Sequence, residues 1–188
     1  MIDKKEVLRY LRTYSGVEDP ALHALIDSCI AKAYACVKPK TIYQIFECFA
    51  DENGVTVEGL RFESRRLAQT LSGCRRLVAI AATLGTEADR LLRTAKAEGA
   101  AELMIYQAVL AAMTEEVCDE LEKTIVAETG FRLRKRYSPG YFDLALTSQK
   151  DFFELMDITK RIGITLTDTM LMVPSKSVTA LIGIEDEN

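Results

Sequence analysis

The sequence has few of the residues that build metal and nucleophile sites. It contains a single histidine, His23, and five cysteines that include no Cys-x-x-Cys pair. One histidine together with cysteines spaced in this way does not make a zinc site. An odd number of cysteines without such a pair is typical of buried or free thiols in a reducing compartment. We therefore expect no metal site, and we expect a cytoplasmic protein.

Several other signals are also missing. No Gly-rich phosphate loop or nucleophile elbow is present. No apolar run reaches the roughly 18 residues that a membrane-spanning helix requires, and no signal-peptide core follows the N-terminus. A net charge of −4 over 188 residues argues against a general nucleic-acid binder or a protein of anionic membranes. The remaining class is an ordinary globular domain, in which we find no catalytic acid, base or nucleophile.

Hydrophobic periodicity predicts helices that alternate with short strands. The predicted helices cover residues 4–14, 20–37, 65–71, 86–98, 101–127 and 148–161, with Asp19, Ser64, Thr86 and Ser148 as N-caps. The predicted strands cover residues 41–49, 55–57, 60–62, 77–82, 131–134, 164–166, 170–173 and 178–184, with Gly59 as a possible bulge. This order favours one α+β domain, built on a mostly antiparallel twisted sheet with packed helices.

The stretch from Arg136 to Tyr141 is the strongest candidate for a binding site. Pro139 ends any helix or central strand, and Gly140 lets the backbone turn tightly and lets a bound group come close. Arg136 can bind a carboxylate through two parallel hydrogen bonds, and Tyr141 offers a ring face to a base or a cation. Taken alone, such a stretch is more often a plain turn with a solvated arginine.

The helix predicted over 101–127 carries a carboxylate in an unusual place. Glu115 interrupts a line of small and apolar residues, and Asp119 lies one turn further on. A carboxylate on such a face is costly unless it is paired or exposed. The pattern fits both a functional Glu115 and one that reaches solvent where the helix leaves the core. We expect the loop that contains Arg136 to pack close to this line.

Basic residues cluster just before the candidate loop, at Arg132, Arg134, Lys135 and Arg136. Such a cluster raises the possibility of nucleic-acid binding. Because no aromatic residues are interleaved and no recognisable binding module is present, we favour a solvated strand face plus one ligand-binding arginine.

Three segments, in order along the chain, resemble the activation domain of cobalamin-dependent methionine synthase, in its stand-alone form. They are CRRLVAIAATLGTEADR (Cys74 to Arg90), RYSPGYFDLALTSQKDFFELM (Arg136 to Met156) and IGITLTDTMLMVPSKSVTALIGI (Ile162 to Ile184). Arg-x-x-x-Gly-Tyr followed by Leu-Thr-Asp, a Met- and Leu-rich run, Pro and Ser-Val-Thr is specific in combination. The resemblance implies a single domain over 1–188, with an N-terminal helical and strand part (1–73) and a ligand-binding core (74–188).

The resemblance also implies a function in reactivation. In the family, the domain holds S-adenosylmethionine over the corrin when cob(I)alamin has been oxidised to inert cob(II)alamin. An electron donor such as a flavodoxin or ferredoxin then reduces the cobalt, and the methyl group is trapped as methylcobalamin. The residues implied to bind the ligand are Glu115, Arg136, Ser138 (through its backbone), Gly140 and Tyr141.

The partner implied by the resemblance is a cobalamin-binding methionine synthase or another corrinoid protein, which holds the cobalamin. The chain itself would be an accessory subunit that supplies placement. Two features depart from the fused enzyme: the acidic residue near the start of that domain has no clear match, and the chain ends Gly183-Ile184-Glu185-Asp186-Glu187-Asn188 where the fused enzyme has a tyrosine pair. The alternative is therefore a docking protein of a corrinoid methyltransferase system that has lost the ligand.

Overall fold

A six-stranded antiparallel sheet lies between two helical layers in the computed structural model, which describes residues 2–12 and 19–185. The helices are α1 (Lys4–Tyr10), α2 (Pro20–Cys36), α3 (Arg65–Thr70), α4 (Thr86–Glu98), α5 (Ala100–Thr129), α6 (Gln149–Met156) and α7 (Ile158–Ile162). The strands are β1 (Lys40–Ala50), β2 (Gly54–Val57), β3 (Leu60–Glu63), β4 (Arg76–Thr83), β5 (Arg132–Leu133), β6 (Thr165–Leu166), β7 (Met172–Val173) and β8 (Ser177–Glu185).

The strand order of the sheet is β3-β2-β1-β4-β8-β5, and each of its described pairs is antiparallel. In the middle of the sheet Ile80 lies opposite Tyr43 on one side and Ala180 on the other. β6 and β7 form a separate two-stranded hairpin. The α+β class and the antiparallel sheet expected from the sequence are confirmed.

β4 explains why helices cover both faces of the sheet. It is apolar in nearly every position and buried from Leu77 to Thr83, as expected for a strand with a layer on each side. Val78 and Ile80 pack with the C-terminal half of α5. Leu77 and Ala79 point to the other face, where α3, α6 and α7 supply the covering side chains.

The layer around α5 is a small helical bundle. α1, α2, α4 and the N-terminal half of α5 share one apolar cluster, in which Val7, Ile26 and Val109 are completely buried. Asp19 begins α2 as predicted, because its carboxylate accepts the backbone N–H groups of Ala21 and Leu22. The bundle packs against the N-terminal half of α5, the helix that carries Glu115.

The helix predicted over 148–161 is wrong as a single element. Asp157 adopts a left-handed conformation with φ 50° and separates α6 from α7. Aspartate tolerates this conformation better than most residues. The break lets Ile158 and Ile162 reach the same core as Phe152. Ser148 also makes no side-chain capping bond, because residues 146–148 form a 3-10 turn before α6.

Two smaller predictions are corrected as well. Gly59 is not a bulge; Glu58 and Gly59 form the two-residue turn of the β2–β3 hairpin, where both have positive φ. The N-cap of α4 is Gly85, and Thr86 is already helical. The first predicted helix ends earlier than expected, at Tyr10, with Leu11 and Arg12 in a turn. Its last predicted residues, 13 and 14, lie outside the described residues, as does the tail 186–188.

Candidate functional site

The loop that follows β5 forms one wall of an open cleft of about 650 Å³. We call residues 136–143 the binding loop. The cleft lies between this loop, α5, the start of α6 and the first residues of β8. Its lining includes Glu115, Glu122, Lys135, Arg136, Tyr137, Ser138, Pro139, Tyr141, Phe142, Leu146, Gln149, Met172, Ser177, Val178 and Thr179.

A tight turn exposes the middle of the binding loop. The Tyr141 N–H donates to the Ser138 carbonyl at 3.3 Å, with Pro139 and Gly140 at the two central positions. Gly140 has φ 86°, and proline followed by a residue of positive φ is the pattern of a type II turn. The local sequence therefore dictates the turn, which leaves Tyr141 64% exposed at the edge of the cleft.

Arg136 is bound by three carboxylates, all from one face of α5. Its Nη2 donates to Glu115 at 2.8 Å, and its Nη1 donates to Asp119 at 2.8 Å and to Glu122. The acids are spaced four and three residues apart, which places them on the same side of a helix. One positive and three negative charges leave this wall of the cleft with a negative surplus.

The electrostatic effects follow from this packing. Burial by itself lowers the pKa of Arg136, but its hydrogen bonds to Asp119 and Glu122 outweigh burial and raise the pKa above its ordinary value. Cys118 lies on α5 among these acids and is completely buried. Burial raises the pKa of its thiol to about 12. The thiol therefore stays protonated at neutral pH and is not a nucleophile.

The part of the cleft formed by β8 and α6 is lined by uncharged polar groups. The hydroxyl of Thr179 donates to Gln149 Oε1 at 2.7 Å, and the hydroxyl of Ser177 donates to Thr83 Oγ1 at 2.8 Å. Both hydroxyls belong to β8, and Gln149 begins α6. Three buried polar side chains, those of Gln149, Ser177 and Thr179, therefore line this part of the cleft. Such side chains suit the recognition of an uncharged polar part of a ligand.

The end of the binding loop is fixed by a hydrogen-bond network. The Asp143 carboxylate accepts from the Ser64 hydroxyl, from the Tyr137 hydroxyl at 3.1 Å and from the Arg66 N–H at 3.2 Å. Ser64 also caps α3 by accepting the Leu67 N–H at 2.9 Å. These bonds, that of Ser64 first, lower the pKa of Asp143. The loop is thereby attached to α3.

Apolar side chains surround the mouth of the cleft. Phe142 is 80% exposed, and its backbone is left-handed, with φ 51°. The Arg66 guanidinium lies over its ring at 5.5 Å. Leu146 is exposed and lines the cleft. Leu171 is exposed in the β6–β7 hairpin, next to the cleft residue Met172. Exposed apolar groups around a cleft are typical of a surface that meets a partner.

The structure brings together four of the five residues singled out in the sequence. Glu115, Arg136, Ser138 and Tyr141 line the cleft, and Gly140 forms its turn. Glu115 and Arg136 are on the same side of the domain, as expected, although they contact each other directly and are not separated by a gap. Their binding of a ligand stays a prediction.

Several contributors were missed by the sequence reasoning. Gln149, Thr179 and Asp143 reach the cleft or its loop through pairings between distant segments. Glu122 was visible on the same helix line as Glu115, and its position seven residues further on was the available signal.

The basic cluster before the loop is largely engaged within the domain. Arg134 Nη1 donates to the carbonyls of Thr70 and Ser72 and so caps the end of α3. Arg132 pairs with Glu185 at 3.2 Å. Over residues 2–12 and 19–185 no group of three or more His, Cys, Asp or Glu side chains is arranged to hold a metal ion. No helix in these ranges is long and apolar enough to cross a membrane.

The comparisons with known proteins agree with this architecture. The family model described as "Vitamin B12 dependent methionine synthase, activation domain" matches residues 67–188. The chain is also similar to a solved structure, the MetH reactivation domain bound to AdoHcy, with a TM-score of 0.68 and 17% identity. That match covers 93% of this chain and 68% of the other, and at this identity it shows the fold alone. No curated protein matches the sequence. Because the family model covers more than half of its length, the chain belongs to the family of vitamin B12-dependent methionine synthase activation domains.

Proposed function

We propose that the cleft binds S-adenosylmethionine and that the chain supports the reductive methylation of cob(II)alamin on a partner protein. The observation that carries this proposal is the position of Glu115 and Arg136 in one cleft, beside the exposed ring of Tyr141. S-adenosylmethionine combines an ammonium, a carboxylate, a sulfonium and an adenine, and each has a suitable group here. The solved relative that shares this fold has AdoHcy bound.

The residues fit the amino-acid end of such a ligand. The surplus of carboxylates around Arg136 attracts an ammonium and a sulfonium. The guanidinium can turn from one of the exposed acids, such as Asp119, to the ligand's carboxylate, because exposed ion pairs are weak. Lys135 lines the same cleft and supplies a second positive charge for that carboxylate.

The chain's residues position the ligand and provide no acid or base for methyl transfer. The open side of the cleft, with its exposed Tyr141 and Phe142, is the side from which a partner can reach the ligand. Cobalamin, when held by that partner, accepts the methyl group. The partner is a cobalamin-binding methionine synthase or a related corrinoid protein, and a flavodoxin or ferredoxin is the electron donor.

In this proposal the chain is a cytoplasmic accessory subunit, and the residues 1–188 act as one domain. The part from 74 to 188 holds the ligand core, and the part from 1 to 73 supports it. Strands from both parts share the six-stranded sheet, which supports this arrangement.

Reconstitution tests the proposal. A corrinoid methionine synthase without its own activation domain is poised as cob(II)alamin and mixed with reduced flavodoxin, S-adenosylmethionine and this chain. We expect the cob(II)alamin absorbance to give way to that of methylcobalamin only when all components are present. Omission of the corrinoid protein is the control: the chain, S-adenosylmethionine and homocysteine alone should give no methionine. Methionine formed in that control, or no methylcobalamin in the full mixture, would refute the proposal.

One observation favours the alternative function, a docking protein without a ligand. Both terminal nitrogens of Arg136 already have carboxylate partners within the chain, so the arginine is satisfied without any ligand. Calorimetric titration with S-adenosylmethionine separates the two functions. Heat of binding supports the ligand-bound form, and its absence combined with association to the corrinoid protein supports the alternative.

A further inference from the structure

The N-terminal helix α1 lies beside the cleft, although the family model begins only at residue 67. Val7 is completely buried in the cluster formed with α2, α4 and α5. At the start of α1, Lys4 pairs with Asp27 of α2 at 2.6 Å. The Ile2 N–H donates to the Tyr34 hydroxyl at 2.7 Å. These contacts fix the course of α1 along α5.

The C-terminal end of α1 lies beside the part of α5 that lines the cleft. A groove of about 440 Å³ runs between α1 and α5, and Arg9 and Tyr10 line it on the α1 side. On the α5 side, Glu115 and Asp119 line the groove. Both acids also bind Arg136, and Glu115 lines the main cleft as well, so this carboxylate is shared by the groove and the cleft.

Tyr10 faces Glu115 and Asp119 across this groove. The Arg9 guanidinium is 5.1 Å from the centre of its ring, and the residue remains 41% exposed. Burial, followed by the negative charge of Glu115, raises the pKa of the Tyr10 hydroxyl, and Tyr141 contributes in the same direction. Tyr10 and Glu115 line the same groove from its two sides, which is the geometric reason why this carboxylate affects the hydroxyl.

We propose that Tyr10 is a further ligand-binding residue, whose ring contacts the cationic amino-acid end of the bound S-adenosyl compound beside Glu115. The ring already accepts one cation, the Arg9 guanidinium, and an aromatic face attracts an ammonium or a sulfonium in the same way. The inference rests on the proposed function and assigns a ligand contact to the segment before residue 67.

Titration with three ligands tests this assignment. S-adenosylmethionine has the amino-acid end and the sulfonium, S-adenosylhomocysteine has the amino-acid end alone, and 5′-methylthioadenosine has neither. We expect Tyr10→Leu to weaken the binding of S-adenosylmethionine roughly tenfold and to leave that of 5′-methylthioadenosine unchanged. Tyr10→Phe, which keeps the ring, should bind like the wild type. Leucine preserves an apolar side chain on the helix, so that lost packing is separated from the lost ring.

Lys5→Ala is the matched control, because Lys5 is exposed on the same helix and does not line the groove. Its affinities and melting temperature should equal those of the wild type. If the wild type binds S-adenosylmethionine and Tyr10→Leu binds it equally well, the role of Tyr10 is refuted while the proposed function stands. An equal loss for all three ligands also refutes it. If the wild type binds none of the three, the proposed function fails, and this inference fails with it.

Discussion

The two ends of the binding loop are attached to the domain by different kinds of contact. At the start, Arg136 is held by carboxylates of α5, of which Glu115 and Asp119 are about half exposed. At the end, Asp143 is held by hydrogen bonds to Ser64 and Tyr137, and both of these are buried. The first attachment uses charge close to solvent, whereas the second uses a hydrogen-bond network that continues into the core.

This difference separates recognition from support. Ion pairs with exposed carboxylates contribute little to stability, so Arg136 can exchange Asp119 for the carboxylate of a ligand at little cost. A buried hydroxyl that loses its partner keeps its full desolvation penalty, so the network around Ser64 keeps the loop in place. We therefore expect changes at Arg136 to affect ligand binding and changes at Ser64 to affect folding.

Arg136→Ala should have the largest effect. A charge-assisted contact to a carboxylate is worth about 1.5–3 kcal/mol, so we expect the affinity for S-adenosylmethionine to fall between roughly ten- and a hundredfold in calorimetric titration. The melting temperature should change less, because two of the three lost ion pairs are made with half-exposed carboxylates. Arg132→Ala is the control: Arg132 is an exposed, paired arginine outside the main cleft. Equal affinities of wild type and Arg136→Ala would show that this arginine is structural.

Ser64→Ala should be the reverse case. It removes the cap of α3 together with the partner of Asp143, and loss of an N-cap costs about 1–2 kcal/mol. For a domain of this size we expect the melting temperature to fall by roughly 2–8 °C. The affinity for S-adenosylmethionine, measured at a temperature where the variant is still folded, should change little. Ser148→Ala is the matched control, because Ser148 occupies the N-cap position of α6 but its side chain makes no capping hydrogen bond. An equal loss of stability in both variants would contradict the supporting role of Ser64.

Gly140→Ala should have a smaller effect, which lowers both the stability of the fold and the affinity for the ligand. A left-handed conformation costs a non-glycine residue about 1–2 kcal/mol. The added Cβ would lie 3.4 Å from Leu146 Cδ1 and would therefore fit. Gly163→Ala has a similar φ of 77° and lies outside the cleft. Both variants should lose similar stability in urea denaturation, and only Gly140→Ala should also bind ligand more weakly.

The pH dependence at Asp143 should be the smallest of these effects. Its pKa in the folded state is lowered from the ordinary value of 3.8, so its contribution to stability is present above that value and is lost as the pH falls through the folded pKa. Asp143→Asn should therefore show a shallower loss of stability from pH 5 to pH 2 in urea denaturation series.

The pKa of Asp151 is shifted in the opposite direction to that of Asp143. Burial raises its pKa, so the folded state takes up a proton more readily than the unfolded state and gains relative stability as the pH falls. Asp151→Asn should steepen the acid loss. If the two variants change the pH profile in the same direction, the assignment of these shifts is wrong.

Local patterns in the sequence were sufficient for most elements of the fold. The apolar run of β4, the Asp19 cap and the Pro139–Gly140 turn each depend on residues that are adjacent in the chain. The break at Asp157 was not readable in this way. The apolar periodicity continues across it, and although aspartate tolerates the left-handed conformation, the break accompanies the packing of Ile158 and Ile162 against distant segments of the core.

The site was only partly predictable for the same reason. Glu115 interrupts an apolar line, and Arg136 precedes a recognisable turn, so both are visible locally. Asp143 is fixed by Ser64, 79 residues earlier, and Tyr10 is more than a hundred residues from Glu115 in sequence. Pairings over such distances are set by the sheet order and by the course of α1, which no local pattern encodes.

The pairing of β4 with β8 has a consequence for biosynthesis. Thr83 and Ser177 are neighbours in the sheet but are separated by 94 positions in the chain. At about 5–20 residues per second, a ribosome needs roughly 5–20 s to produce that interval. During this time the apolar edge of β4 has no strand to complete it, and open edges of this kind attract other chains. We therefore expect this protein to depend on chaperones during translation more than a helical protein of equal length does, because β4 must wait for this interval before β8 can pair with it.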